Sequence, residues 1–300
     1  MKFIKPSVEI ITEPDLFKRI EIGARNCYLS YDKCGPGSDV DIFNKLVSRG
    51  HESALEHSNI TVVCNGDGFE EYDIAIYIRR FELSGVMPTS YIKMNKDMNM
   101  FNGNLRAWRS VARMNKNADI IKYIASKLPG AFDDIFGGCP TPENEYDIKV
   151  HVNQIHDEWD TRLTARFTCD RAIQNELVRH RALSFSVTST RYVNYKDGLT
   201  FVEPWWWPEQ ETSDTQFIRA SCQAAEDAYC SLIASGASPQ KARCVLPNML
   251  KTEVVATGTI EQWQKLVVPL RLSKAAHPDI RRLMELFCEQ LGWNPDDFRK

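Results

Sequence analysis

Apolar and polar residues alternate along Leu163–Cys169, with Leu163, Ala165, Phe167 and Cys169 on one side and Thr164, Arg166 and Thr168 on the other. That period of two predicts a half-buried strand. Asp170 follows as a good N-cap, and the spacing then turns helical over Arg171–Arg181, with Ile173 and Leu177 on the inner face. The small and β-branched Ser184–Thr190 predicts loop or strand, and the apolar run Ile60–Cys64 predicts a strand. Gln216–Ala234 predicts a helix stopped by Gly236, with Pro239 close behind. Pro239–Met249 and Ile260–Leu270 predict helix in part. Asp279–Leu291, with Ile280, Leu283, Leu286 and Phe287, predicts an amphipathic helix. Three Gly/Pro-rich polar stretches, Cys34–Asp39, Gly137–Asn144 and Asp197–Asp214, predict loops. The mixture is α+β. The 300 residues suffice for one large domain or two ordinary ones. With no repeat and no linker, a single domain with insertions is expected.

Composition narrows this only a little. Hydrophobic residues at 43% and charged residues at 26% exclude a disordered chain. No run approaches the length of a membrane span, and MKFIKPSVEI lacks the apolar core of a signal peptide. A net charge of −3 excludes a generally basic nucleic-acid coat, though not a local basic site. No pair among the nine cysteines has the spacing of a zinc knuckle or redox motif, so reduced cytosolic thiols are expected. A catalytic Cys stays open, but nothing local nominates one.

The densest polar cluster is Arg179-His180-Arg181, followed by Ser184, Ser186, Thr188, Ser189, Thr190 and Arg191. Cations so close together repel unless an anion joins them, and the guanidinium fork suits phosphate or pyrophosphate. A helix C-terminus also attracts cations through its dipole, which covers Arg179 to Arg181 but not Arg191. Glu176, three and four residues before Arg179 and His180, is an ion-pair partner or a ligand contact. In Gly50–His57, Ser53 and Glu56 fit a capping box and leave His51 and His57 free. Neither that histidine pair nor His151 with His156 has zinc-helix spacing, and the latter two are expected at the surface. Arg243 and Arg271 sit among apolar neighbours, where an arginine usually needs an anionic partner, either a carboxylate or a ligand. Trp205-Trp206-Trp207 is either a stacking platform or, the preferred reading, a set of anchors pinning a loop. No Gly-x-Gly-x-x-Gly fingerprint or Walker loop is present.

Together these residues resemble the flavin-dependent thymidylate synthases (the ThyX family). That family's signature is Arg-His-Arg, seven residues, then Ser; here it reads Arg179-His180-Arg181, Ala182 to Thr188, Ser189, continuing Thr190-Arg191-Tyr192. Flanking Glu176-Leu177-Val178 and Val193-Asn194-Tyr195, the segments Gly50–His57, Asn102–Trp108, Ala242–Pro247 and Thr257-Gly258, and the stretch from Leu270-Arg271 to Pro278 are also similar. The resemblance implies one domain over 1–300 with an insertion around 66–148, a central antiparallel or mixed sheet flanked by helices, and a homotetramer with shared active sites. It implies reductive methylation of dUMP to dTMP, with 5,10-methylenetetrahydrofolate giving the carbon and NADPH-reduced FAD the hydride, and no covalent enzyme nucleophile. By position, His51, Ser53, Glu56, Arg179, His180 and Arg181 are expected to bind FAD. Glu176, Arg179, Ser189, Thr190, Arg191, Arg243 and Arg271 are expected at dUMP, with Arg271 as the catalytic cation beside the pyrimidine.

Five positions depart from the family pattern. Val187 and Thr188 stand where Gln or Glu is frequent, Cys27 replaces a small hydroxyl residue, Glu176 replaces a frequent Gln, and no Asn occurs near Leu266. The altered loop leaves a pyrimidine hydroxymethylase or dCMP-acting variant as the alternative. A non-enzymatic nucleotide- or RNA-binding module is disfavoured by the acidic balance. Self-association, no nucleic acid, no membrane, no metal and a cytoplasmic location (a host cytoplasm if viral) complete the expectations.

Overall fold

The computed structural model describes residues 1–65, 70–83, 92–95, 97, 99–153 and 161–299, with backbone alone at 81–83. In chain order the strands are β1 Lys2–Ile4, β2 Ser7–Ile11, β3 Asn59–Cys64, β4 Ile92–Met94, β5 Met100–Asn104, β6 Ile148–Val152, β7 Arg162–Asp170, β8 Ser184–Val187, β9 Thr200–Val202 and β10 Lys251–Thr259. The helices are α1 Leu16–Tyr28, α2 Ser38–Ser48, α3 Glu70–Leu83, α4 Leu105–Met114, α5 Asp119–Ser126, α6 Asp133–Phe136, α7 Arg171–Leu177, α8 Ser213–Ala234, α9 Pro239–Ala242, α10 Ile260–Gln262, α11 Val268–Leu272 and α12 Pro278–Gln290. The chain forms two compact units: Met1–Thr12, Gly23–Lys33 and Leu163–Lys300 make the first, and Glu13–Ile22 with Cys34–Arg162 make the second.

The α+β expectation holds, but the described residues form three sheets rather than one central sheet. In the first unit, a four-stranded sheet runs β2-β7-β10-β8, with β2/β7 and β10/β8 antiparallel, and a short parallel pair joins β1 to β9. Strand β7 keeps its alternation from Ala165 onward, with Ala165, Phe167 and Cys169 buried and Arg166 and Thr168 partly exposed, but Leu163 is half-buried and Thr164 is buried against Thr257. Helix α12 buries Ile280, Leu283, Met284, Phe287 and Cys288, the stripe expected of a helix lying on a sheet. The rings of Phe167, Trp263 and Phe287 meet at the centre, with Trp263 and Phe287 centroids 4.6 Å apart. At Gly258 a Cβ would come within 2.2 Å of Leu183 Cδ2, so a larger residue there makes Leu183 move.

Several boundaries differ from the expected ones. Helix α7 ends at Leu177, so Arg179, His180 and Arg181 occupy the turn that follows. The loop Asp197–Asp214 contains β9, and α8 begins at Ser213 with a Thr212/Thr215 capping box. Between α10 and α11 the chain widens into a π-helical turn, Trp263–Val267, just ahead of Pro269. Proline has no N–H to donate to the preceding turn, which favours such a break.

In the second unit an antiparallel sheet runs β4-β5-β3-β6. Helix α4, capped by the Asn104 side chain, packs on it through Leu105, Trp108 and Val111. The expected insertion around 66–148 falls within this unit. His151 lies on β6, half-buried rather than on the surface, and His156 lies outside the described residues.

Candidate functional site

Arg271 organises one end of the first unit. Its Nη1 donates to Glu176 Oε2 at 3.0 Å, its Nη2 to the Glu176 carbonyl at 2.7 Å, and its Nε to His180 Nε2 at 2.7 Å. The expected anionic partner of this arginine is therefore a protein carboxylate in the ligand-free chain. An Nε2 that accepts means a neutral imidazole protonated at Nδ1. Burial, with Arg271 beside it, pushes His180 down to about 4. Burial also lowers Arg271, against the pull of Glu176. Arg179 and Arg181 are exposed and make no ion pair among the described residues. The Glu176 carboxylate is thus bound to Arg271 while Arg179 stands close enough to be felt by Arg271, an arrangement with capacity for an anion.

The loop after β8 builds the second part. Ser189 is fixed by its N–H to the Cys27 carbonyl, 2.9 Å, and its Oγ accepts the Arg191 N–H. Thr190 is buried. Arg191 is exposed; its Nε donates to Gln240 Oε1 at 3.2 Å and its head lies over the Tyr192 ring. Gln240 and Arg243 are three apart in the continuous helical segment of α9 and the 3-10 turn Arg243–Val245, and so share a face. That places Arg243 within one turn of the residue holding Arg191. Arg243 is exposed, and the carboxylate partner that its apolar neighbours suggested is not found among the described residues.

Beside this loop lies a cavity of about 380 Å³, whose lining includes Thr188, Tyr192, Tyr195, Lys251, Thr252 and Glu253. Glu253 binds Lys251 and accepts from Tyr31 Oη at 3.0 Å. Asn26 Nδ2 donates to the carbonyls of Ser186 and Glu253, tying α1 to β8 and β10. The Tyr195 Oη and Thr252 Oγ1 are buried without a hydrogen-bond partner among the described residues, an open demand in the cavity wall. Burial pushes the Tyr195 phenol up to about 12, so it stays protonated. The sequence did not single out Asn26, Gln240, Thr252 or Glu253. Their roles depend on partners distant in sequence.

The departures at Val187 and Thr188 have structural uses. Val187 packs on the core, and Thr188, nearly fully buried, exchanges hydrogen bonds with the Glu253 backbone. Cys27 is half-buried and burial raises its thiol, as it does for Cys64, Cys169, Cys222 and Cys288. A thiol held up in this way is a poor nucleophile.

The remaining expected residues lie in the second unit. Gly50, at φ +69°, ends α2 in a Schellman turn: its N–H reaches Val47 and that of His51 reaches Leu46. Glu52–His57 then forms a 3-10 turn with no side-chain cap, so the capping box expected at Ser53 and Glu56 does not form. Glu56 is taken instead by Arg106, and Glu52 by Arg109 and Arg113 of α4. Burial works to raise Glu52, but the two arginines outweigh it and hold its carboxyl low. His51 and Ser53 are exposed. His57 is wholly buried and, by desolvation and then Arg19, pushed down to about 4. Two segments recognised separately in the sequence, Gly50–His57 and Asn102–Trp108, thus meet through Glu56 and Arg106.

The Trp run divides. Trp207 stacks on Phe3 at 5.1 Å as an anchor, whereas Trp205 and Trp206 are exposed.

Residues 161–292 match the family model described as thymidylate synthase complementing protein, Thy1. The flavin-dependent thymidylate synthase of Mycobacterium tuberculosis (strain H37Rv) is 32% identical over 137 residues, 41% of this chain and 54% of that protein. The flavin-dependent thymidylate synthase of Geobacter sulfurreducens is 39% identical over 131 residues, 43% of this chain and 56% of that protein. The chain thus spans about half the length of these curated relatives. Among solved structures, a UMP/dUMP methylase PolB from Streptomyces cacaoi bound with 5-Br dUMP is 16% identical, covering 97% of this chain and 90% of its own, at a TM-score of 0.40.

Proposed function

We propose that this chain, whose residues 161–292 match the Thy1 family model, is a flavin-dependent thymidylate synthase that methylates dUMP to dTMP with 5,10-methylenetetrahydrofolate as carbon donor and NADPH as reductant of FAD. The observation that carries the reading is Arg271 bound to Glu176 and His180, with Arg179 close by and, like Arg181, without an ion pair among the described residues.

Ser189, Thr190, Arg191 and Arg243 would hold the dUMP phosphate; exposed guanidiniums on a loop pinned to Cys27 and Gln240 suit a doubly charged group. Arg271, with Glu176 and Arg179, would face the pyrimidine. A cation at that place stabilises negative charge on the ring as C5 is activated. Neutral His180 accepts from Arg271 and so fixes the direction of the guanidinium. His51, Ser53, Glu56, Arg179, His180 and Arg181 are assigned to FAD by their match to the signature segments. The unpaired Arg179 and Arg181 fit a pyrophosphate. Bound FAD would supply the hydride, while the protein binds and orients. The reading includes a ThyX-type homotetramer over a single domain.

The purified protein should be yellow, bleach with NADPH, and convert dUMP to dTMP when the folate is added. A colourless protein that releases no dTMP under these conditions refutes the proposal. The valine at position 187, packed on the core where an amide or carboxylate is frequent, keeps a hydroxymethylating or dCMP-acting variant as second reading. Product mass separates them, because a hydroxymethyl product carries one more oxygen.

A further inference from the structure

Trp205 lines a second cavity in the first unit, of about 530 Å³, to which none of the residues assigned above to the reaction contributes. Four cations and one carboxylate face it: Lys274, Arg281, Arg282, Arg299 and Glu285. Glu285 is already bound by Arg299, which also pairs with Asp296. Arg282 feels Asp279, whose carboxyl is raised by burial and lowered again by the Trp205 N–H, His277 and Arg282. Lys274 and Arg281 make no ion pair among the described residues. The lining is therefore cationic on a chain whose net charge is −3, and like charges held around one cavity invite an anion.

The indole adds a second requirement. Trp205 is 55% exposed, yet its backbone N–H is tied to Asp279 Oδ1 at the start of α12, so the side chain stems from a fixed point. Its neighbour Trp207 is covered by Phe3 and Arg219, which shows that this loop can bury an indole where burial is all that is needed. The floor is apolar, from the buried Leu272 and from Pro278. An aromatic face over an apolar floor, rimmed by guanidiniums, suits a planar base on a polyanionic chain.

We propose that this cavity binds a nucleotide with three or more phosphate charges, the base stacked on Trp205 and the phosphates held by Arg281, Arg282 and Lys274. Two sources share that chemistry: a nucleoside triphosphate and a nicotinamide adenine dinucleotide phosphate. The triphosphate source stands whether or not the chain methylates dUMP; the dinucleotide source rests on that reading, in which NADPH is the reductant.

Calorimetric titration of the full chain with dTTP, NADP⁺, inorganic triphosphate and thymidine tests it. One of the two nucleotides should bind saturably and identify the source. Inorganic triphosphate and thymidine should each bind at least about tenfold more weakly. Arg281→Gln and Trp205→Phe should each weaken the nucleotide by about tenfold, with the urea midpoint and any flavin spectrum unchanged. No saturable heat from either nucleotide overturns the site. So does unaltered affinity in both variants, or inorganic triphosphate binding as tightly as the nucleotides.

Discussion

At Arg271 one side chain serves two partners, the Glu176 carboxylate and the His180 ring, and a ligand has to compete with or join them. Arg271→Ala should leave flavin absorbance largely intact and lower kcat for dUMP by about a hundredfold or more, as loss of a cation at developing charge does. Full turnover in that variant rules out its catalytic role. Histidine titration gives a separate residue-level test. His57 and His180 both have folded-state values near 4, below the ordinary 6.5. The unfolded chain therefore binds more protons between these values, and stability falls as pH drops from about 6.5 toward 4, and is flat above. The fully buried His57 alone contributes on the order of 3 kcal/mol to that loss. Urea midpoints followed from pH 7.5 to pH 4.5 should decline over this window, less steeply in His57→Asn; a pH-independent midpoint contradicts both assignments.

At the scale of elements, strand β7 and helix α12 were legible because each is decided by its own period against one buried face. What stayed hidden depends on distant partners. The Ser53–Glu56 cap is lost because Arg106, fifty residues on, takes the Glu56 carboxylate. Strand β9 inside a polar loop forms because β1, at the far end of the sequence, pairs with it in parallel. Arg243 is exposed in a 3-10 turn that its apolar neighbours do not announce. Of the site, the Arg179–Arg191 signature could be read locally, whereas Gln240, Thr252 and Glu253 could not. The buried ring cluster makes a firm prediction. Phe287→Ala removes the ring that contacts both Phe167 and Trp263 and should cost about 3–5 kcal/mol in urea unfolding. Gly258→Ala should also destabilise, since the new methyl meets Leu183. A wild-type midpoint in either variant would show that this core repacks freely.

For the whole molecule, the homotetramer remains a proposal with a surface to test. Leu266 and Leu270, four apart in the helical run from Ile260 to Leu272, are 54% and 57% exposed, while Trp263, Val267 and Val268 of the same run are buried. A helical run that fills its inner face and still presents two leucines outward leaves apolar surface that contact with another copy would cover. Sedimentation equilibrium should return the mass of four chains. Leu266→Glu should shift it to smaller species, because a carboxylate enclosed in an apolar contact lacks a partner. Arg271 adjoins Leu270 in the same run, so loosening this face should lower turnover together with the mass. A Leu266→Glu protein that stays four chains places the interface elsewhere. One that dissociates yet keeps full turnover shows that each copy carries a complete site.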